Sequence, residues 1–562
     1  MTRAALFAVA ACLAATTALA AEAPQSASTA KKPEAATTSS PDQGVLFWPE
    51  AVASDGTVSV EGQRIDYRAV AGTIVVHPKG WDDAAAREKA AADDKSSDAK
   101  SLGDQDNPQA EASMFYVAYF KKGVPAAGRP VMFLFNGGPG SSTVWLHMGA
   151  FGPRRVVTAD DTHTPAAPYS LVENAYSLLD VADLVFIDAP GTGFSRIAGK
   201  DKEKSFYGVD PDAYAFSQFI MGFLSKYSRW NSPKYLFGES YGTPRAAVVV
   251  NDLEQNNDID FNGVVMLSQI LNFDLNADTP QFNPGTDEPY IAALPTYAAT
   301  AWYHNRLPGQ RPADLPGFLH QVEQFASGDY ASALQAGSDL DPARRQAIAE
   351  RVAQYTGLPA AYVLKSDLRI NVGQFEKTLQ DPEGLTTGRL DTRFSGPDLD
   401  PLSKEAEYDP QSAAISSAYV SAFNDYVRTQ LNFGQDRVYK PEADVSKDWS
   451  TDHTPPGANE PQRGIFNVMP DLAAAMKINP NLKVMVNGGW FDLATPYYEG
   501  LFEMRHLPVP ARLLGNIEFH YYPSGHMVYA HEASLKDLHD NVAAFIGKTD
   551  NVAQAPAKTR RK

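Results

Sequence analysis

The chain has 562 residues, a formal net charge of −18, 44% apolar residues and 11% aromatic ones. That length can bury a large core and still carry insertions, and the apolar content excludes wholesale disorder. The negative charge argues against nucleic acid or an anionic lipid surface as a partner, and the basic run Lys558, Arg560, Arg561 and Lys562 reads as a solvated tail.

The N-terminus has the pattern of a secretory signal: Arg3, an apolar run over 4–15, and Ala18-Leu19-Ala20 before Ala21. Residues 1–20 are therefore expected to be removed, leaving an exported, periplasmic or extracellular protein. No later stretch is long and apolar enough to span a bilayer. The only cysteine, Cys12, lies inside this signal, so the mature chain can form no disulfide; lipidation at Cys12 is the alternative to free export. Residues 21–45, rich in Ala, Ser, Thr, Pro and Lys, have no apolar periodicity and read as a flexible leader.

A first core segment is expected over 46–274. It opens with short β-type runs (Val58, Val60, Ile65, Tyr67, Val70, Ile74) broken at Glu61-Gly62 and Ala71-Gly72, which suggests hairpins. An exposed insertion follows at about 82–112. Strands are expected at 114–120 and 131–135, the second almost wholly apolar and so buried on both faces of a mainly parallel sheet. The pattern then alternates: strand 184–187, helix 213–230, strand 235–237, helix 245–253, strand 264–267. Residues 275–465 read as an inserted, largely helical cap, with helical spacing at 343–355 and 413–431. The strand 484–486 restores the sheet pattern in a second core segment, 466–548, before a flexible basic tail over 549–562.

The sharpest local signal is Gly238-Glu239-Ser240-Tyr241-Gly242, between an apolar strand and a helix. This is the pattern of a nucleophile elbow, in which glycines flank a serine on a strained turn. A serine hydroxyl needs an imidazole to take its proton, and that imidazole needs a carboxylate to orient it. Downstream, the strand at 484–486 runs into Gly488-Gly489-Trp490-Phe491-Asp492, and the strand at 519–522 into Ser524-Gly525-His526. Both follow strand ends, where side chains of a parallel sheet converge, so Ser240, Asp492 and His526 are the expected triad. His520, inside a strand, and His531, at a helix start, are assigned structural roles. Upstream, Asn136-Gly137-Gly138-Pro139-Gly140 ends another strand; the backbone N–H of Gly138, paired with that of Tyr241, is the expected oxyanion hole. The fold class is accordingly α/β: an α/β-hydrolase fold with a central, mostly parallel sheet flanked by helices and a helical cap. With no His-Glu-x-x-His zinc helix and no Gly-rich nucleotide fingerprint, neither a metal nor a cofactor is expected.

Through Asn136–Ser142, Asp188–Ser195, Gly238–Gly242, Gly489–Asp492 and Gly525–Met527, the chain resembles the serine carboxypeptidase family. The resemblance implies removal of C-terminal residues from peptides, with the substrate's terminal carboxylate held by Asn136, Gly137 and Glu239 and the leaving residue lined by Met527. It implies a protonated Glu239, since only the protonated form can donate a hydrogen bond to a carboxylate, and so a preference for acidic pH. The expected partners are peptides with a free C-terminal carboxylate; oligomeric state is left open. Two departures stand out. Ser141 follows Gly140 where the family usually has a cysteine, which fits a bacterial, disulfide-free branch, and Ala150 stands where a second acidic residue often lies. Use of the same triad on esters or in acyl transfer is the first alternative, and a catalytically silent binding protein the second.

Overall fold

The computed structural model describes residues 46–85 and 109–552. The expected signal, the leader, Cys12, most of the expected exposed insertion and the basic tail beyond residue 552 lie outside the described residues.

One large sheet organises the molecule. Its strands are β1 (Ala51–Val60), β2 (Gln63–Val76), β3 (Glu111–Lys121), β4 (Val131–Phe135), β7 (Asp183–Ile187), β8 (Arg196–Ala198), β9 (Lys234–Glu239), β10 (Gly263–Leu267), β13 (Lys483–Gly489) and β14 (Ile517–Tyr522). Two small hairpins lie apart from it, β5 (Arg154–Val157) with β6 (Ser170–Glu173) and β11 (Leu385–Thr387) with β12 (Ser395–Pro397). The main order is β1-β2-β3-β7-β4-β9-β10-β13-β14, with β8 paired to β3. From β7 to β14 every pairing is parallel, whereas β1, β2, β3 and β7 pair antiparallel. This is the α/β-hydrolase architecture.

The β1–β2 hairpin turns at Glu61-Gly62, both with positive φ, as expected. The second expected break, Ala71-Gly72, is not one. β2 runs straight through it, and Gly72 is there because a Cβ would lie 2.4 Å from the Glu50 carbonyl oxygen. The expected exposed insertion also ends sooner than residue 112: Glu111 and Ala112 already belong to β3 and are buried.

Strand alternation divides the central strands between two cores. Met132, Leu134, Phe237, Val265 and Met485 face one side, where they join helices α6 (Pro410–Thr429) and α8 (Glu532–Thr549). Val131, Phe133, Phe135, Leu236, Val264 and Val484 face the other, covered by α1 (Val209–Lys226), α2 (Gly242–Asn256) and α7 (Met469–Ile478). Helix α1 presents Phe216, Phe219, Ile220 and Phe223 to this core, the spacing of one helical face.

The segment between β10 and β13 contributes to more than one core. Helices α3 (Glu288–Tyr303), α4 (Leu315–Phe325) and α5 (Pro342–Thr356) bury Leu294, Tyr297, Leu319 and Val352 in a third cluster with Phe491, Leu493 and Tyr497, the residues around Asp492. Helix α6 instead packs under the sheet with Val144, Met148 and Tyr529. Helix α5 is capped by the Asp341 carboxylate at Ala343 N and Arg344 N and stops at Gly357, whose φ is 70°. Among the described residues, no helix is long and apolar enough to cross a membrane.

Candidate active site

Ser240 sits between β9 and α2 with φ of 59°, a left-handed conformation that is strained for serine. Gly238 and Gly242 make the turn possible: a Cβ on Gly238 would lie 2.1 Å from the Gly242 carbonyl oxygen, and one on Gly242 would lie 2.8 Å from that of Phe135. The Ser240 N–H donates to Leu267 O at 3.0 Å, tying the turn to β10. Helix α2 begins at Gly242, earlier than residue 245, so the elbow runs directly into its first turn.

Asp492 and His526 follow β13 and β14, neighbours in the parallel half of the sheet. Asp492 is fully buried and accepts from His526 Nδ1 at 2.9 Å. Its other contacts come from its own turn: Oδ1 accepts the N–H groups of Ala494 and Thr495 at 2.9 and 3.0 Å, and Oδ2 accepts Thr495 Oγ1 at 2.8 Å. With Nδ1 committed to Asp492, the neutral ring has Nε2 as its free acceptor. Burial alone would lower the His526 pKa, but the charge and hydrogen bond of Asp492 outweigh it and raise the value above 6.5.

The end of β10 is bonded to both the Ser240 turn and the His526 loop. Ser268, next to the residue that receives the Ser240 N–H, donates its hydroxyl to His526 O at 2.7 Å. The charge of Glu239, adjacent to Ser240, also contributes to raising the His526 pKa.

The loop after β4 lies against the elbow. A Cβ on Gly137 would fall 2.3 Å from Tyr241 N, so only glycine lets the strands' ends meet this closely. Gly138 has φ of 105°, also a glycine conformation. Asn136 is locked on three sides: Oδ1 accepts Leu146 N at 3.0 Å, its N–H donates to Thr143 Oγ1 at 3.3 Å, and its carbonyl accepts Arg245 Nη1 at 2.6 Å. Arg245, fully buried, is in turn gripped by Asp212 through Nε at 2.6 Å and Nη2 at 3.2 Å. Breaking a buried pair of this kind by truncating one partner costs about 3–5 kcal/mol.

Glu239 is 2% exposed, and Tyr529 OH lies 3.1 Å from Oε1 and 2.9 Å from Oε2. Burial pushes its pKa up to about 7, against the lowering effects of His526 and of hydrogen bonds from Tyr529 and Asn136. A carboxyl poised there is protonated in mildly acidic solution. Met527 is buried in the apolar cluster that holds Tyr419 and Tyr529. Ala150 is buried in the turn Leu146–Phe151, so no acidic side chain enters from that position. His520 contacts Glu518 at 3.3 Å, and His531 contacts Ser534 Oγ at 2.7 Å and Asp160 at 3.7 Å.

Several groups at the site carry no sequence signature. The stretch 389–393, far in the chain from Ser240, Asp492 and His526, braces both the Asp492 loop and the His526 loop. His526 N donates to Leu390 O at 2.6 Å, Gly525 N to Asp391 Oδ2 at 3.1 Å, Thr392 N to Phe491 O at 2.9 Å and Leu493 N to Arg389 O at 3.0 Å. Tyr529 and Ser268 are equally silent in the sequence. Thr495 is the exception, since Asp-x-x-Thr at a turn is a recognisable local hydrogen-bonding pattern.

A hollow of about 470 Å³ elsewhere is lined by Asp210, His453 and Asp471 and by none of the triad residues. His453 spans the two aspartates at 2.6 and 2.9 Å and joins the 450–462 loop to α1 and α7. Among the described residues, no group of His, Cys, Asp and Glu side chains is arranged to hold a metal ion.

Residues 104–281 match the family model described as serine carboxypeptidase. A serine carboxypeptidase of Caenorhabditis elegans is 28% identical over 185 residues, 31% of this chain and 34% of that protein. The pheromone-processing carboxypeptidase of Cryptococcus gattii is 34% identical over 113 residues, 20% of this chain and 16% of that protein. The chain thus spans about a third or less of the length of the curated relatives it matches. Among solved structures, proline iminopeptidase of Mycobacterium smegmatis is similar at 12% identity and a TM-score of 0.31 over 89% of this chain and all of that one. Through the segment that carries Asn136, Glu239 and Ser240, the chain is similar to the serine carboxypeptidase family.

Proposed function

We propose that this protein is an exported serine-type carboxypeptidase that releases C-terminal residues from peptides through an acyl-enzyme at Ser240. The observation that carries the reading is Glu239, a buried carboxyl with a pKa near 7 placed next to the nucleophile and held by Tyr529 and Asn136. A general esterase has no use for a protonated carboxyl there, whereas a substrate's terminal carboxylate needs a donor to meet it. The secretory pattern around Ala20 supports export to the periplasm or beyond.

In this mechanism Asn136, Gly137 and protonated Glu239 hold the terminal carboxylate. Ser240 Oγ attacks the last peptide carbonyl while His526 Nε2 takes its proton, and Asp492 steadies the imidazolium that forms. The N–H groups of Gly138 and Tyr241 receive the oxyanion. His526 passes the proton to the departing amino group, the C–N bond breaks, and the ester to Ser240 remains. Water, deprotonated by His526, then hydrolyses that ester and restores the Ser240 hydroxyl.

N-blocked dipeptides with free and amidated C-termini, together with simple esters, test this. The reading expects hydrolysis of the free dipeptides and little of the amidated ones; equal rates on both would favour the esterase or acyl-transfer alternative. A fluorophosphonate should label the wild type and not Ser240→Ala. Failure to label the wild type would favour a silent binding protein.

A further inference from the structure

Tyr529 follows His526 by three residues, in the turn Val528–Ala530, where Ala530 N donates to Met527 O at 2.8 Å. One short loop therefore carries both His526 and a phenol that reaches Glu239. The Tyr529 side chain is buried, and its hydroxyl lies 3.1 Å from Glu239 Oε1 and 2.9 Å from Oε2. Gly149 makes the room for it: a Cβ there would lie 2.7 Å from the Tyr529 ring and 2.7 Å from that of Tyr419. Neither Gly149 nor Ala150 carries an acidic group, so a phenol and not a second carboxyl meets Glu239.

The direction of the hydrogen bonds is fixed from Asn136. Its Oδ1 is taken by Leu146 N at 3.0 Å, so the amide presents Nδ2, a donor only, to Tyr529 and Glu239. The Tyr529 oxygen accepts from Asn136, and its single proton goes to Glu239. Glu239 is thus an acceptor toward both neighbours, and its own O–H, when present, is left for a group outside this cluster. Burial and the charge of Glu239 hold the Tyr529 phenol well above its usual range, so it keeps its proton while Glu239 titrates. A second carboxyl in its place would share a proton with Glu239 and titrate with it. The other charged groups that act on Glu239 are His526 and Asp492, and Glu239 in turn acts on Tyr419 of α6.

We propose that Tyr529 is a positioning residue for substrate recognition: it occupies the acceptor side of the Glu239 carboxyl, so that the carboxyl's own proton is turned toward the terminal carboxylate of a peptide. This rests on the carboxypeptidase reading. Because a hydrogen-bond donor favours the ionised form of a carboxyl, Tyr529 also sets how far pH can rise before Glu239 releases that proton.

The test follows kcat and KM against pH on N-blocked dipeptides with a free carboxylate, with fluorophosphonate labelling as the measure of an intact nucleophile. In the wild type the alkaline limb lies near 7. Tyr529→Phe, which keeps the ring, should raise KM about five-fold at pH 5 with a smaller change in kcat, and should move the alkaline limb upward by about one pH unit. Replacing Tyr529 by 3-fluorotyrosine keeps ring and hydroxyl but makes a stronger donor, and should move the limb downward; this variant carries the test where Phe disturbs folding. In a Glu239→Gln background, Tyr529→Phe should leave the profile where Glu239→Gln put it. A role confined to packing would lower rates on dipeptides and esters alike without moving the limb. A limb that stays in place in both Tyr529 variants overturns the assignment and leaves the carboxypeptidase reading standing. An enzyme that labels with fluorophosphonate but releases no residue from any dipeptide overturns both.

Discussion

Asp391 Oδ2 accepts the N–H of Gly525 at 3.1 Å, so a residue of the segment inserted between β10 and β13 holds the backbone immediately before His526. The contact is tight on both sides: a Cβ on Gly525 would lie 2.4 Å from the Asp391 Cβ and from Leu390 O. Asp391 is fully buried and is itself fixed by Arg393 at 2.7 Å. The inserted segment is therefore part of the framework that holds the His526 loop.

Asp391→Asn should lower kcat about ten-fold with a smaller change in KM, because the base loop loses a charge-assisted anchor while the substrate contacts remain. Asp391→Ala leaves Arg393 without its closest partner and should cost about 3–5 kcal/mol of stability. Steady-state kinetics with fluorophosphonate labelling rates separate the two effects: an Asn variant that labels and turns over like wild type would remove the positioning role.

The pH profile should depend on what the substrate carries. Glu239 must be protonated to meet a terminal carboxylate, and it loses that proton as pH rises through about 7. His526 must be neutral to act as base, and its pKa lies above 6.5. The productive form holds one proton on the pair, on Glu239 rather than His526, so free-acid substrates should give a bell-shaped profile whose limbs belong to the pair. Simple esters need no donor from Glu239 and should lack the alkaline limb near 7. Glu239→Gln keeps a donor at every pH and should move that limb upward on dipeptides.

Gly137→Ala should reduce kcat about 10²–10³-fold. The new methyl would meet Tyr241 N at 2.3 Å and Gly242 N at 2.8 Å, which forces the glycine loop away from the elbow. Circular dichroism should show a folded protein, and single-turnover acylation should be the step that slows. Wild-type acylation in this variant would argue against Tyr241 and the loop acting together.

Thermal stability should fall from pH 5 to pH 9. Burial raises Glu239 and Glu254 from 4.5 to about 7, so the folded chain keeps protons that the unfolded chain releases. Their contribution is complete below 4.5 and is lost as pH rises to 7. Burial alone would lower His453, but its hydrogen bonds to Asp210 and Asp471 bring it to about 9, so its contribution is present below 6.5 and is lost through 9. Melting curves should drop by roughly 5 °C or more across this range. Glu254→Gln should flatten the lower window and His453→Gln the upper one; a flat wild-type curve would contradict both assignments.

The sequence by itself determined the parallel sheet, the strained serine turn, and the Asp492 and His526 loops. These are local: an apolar run makes a strand buried on both faces, and the glycines that follow are dictated by what their absent side chains would strike. Even Thr495 was readable, since it lies within one turn of Asp492. Tertiary structure alone decided what surrounds them. Asp391 meets Gly525 across 134 residues, Tyr529 meets Glu239 across 290, and Glu442 meets Ser141 across 301. Contacts at such separations leave no periodicity or spacing in the chain, because they are set by how segments far apart in the chain pack against one another. The triad candidates are therefore visible in the sequence, while the groups that brace His526 and enclose Glu239 emerge only when those distant segments pack together.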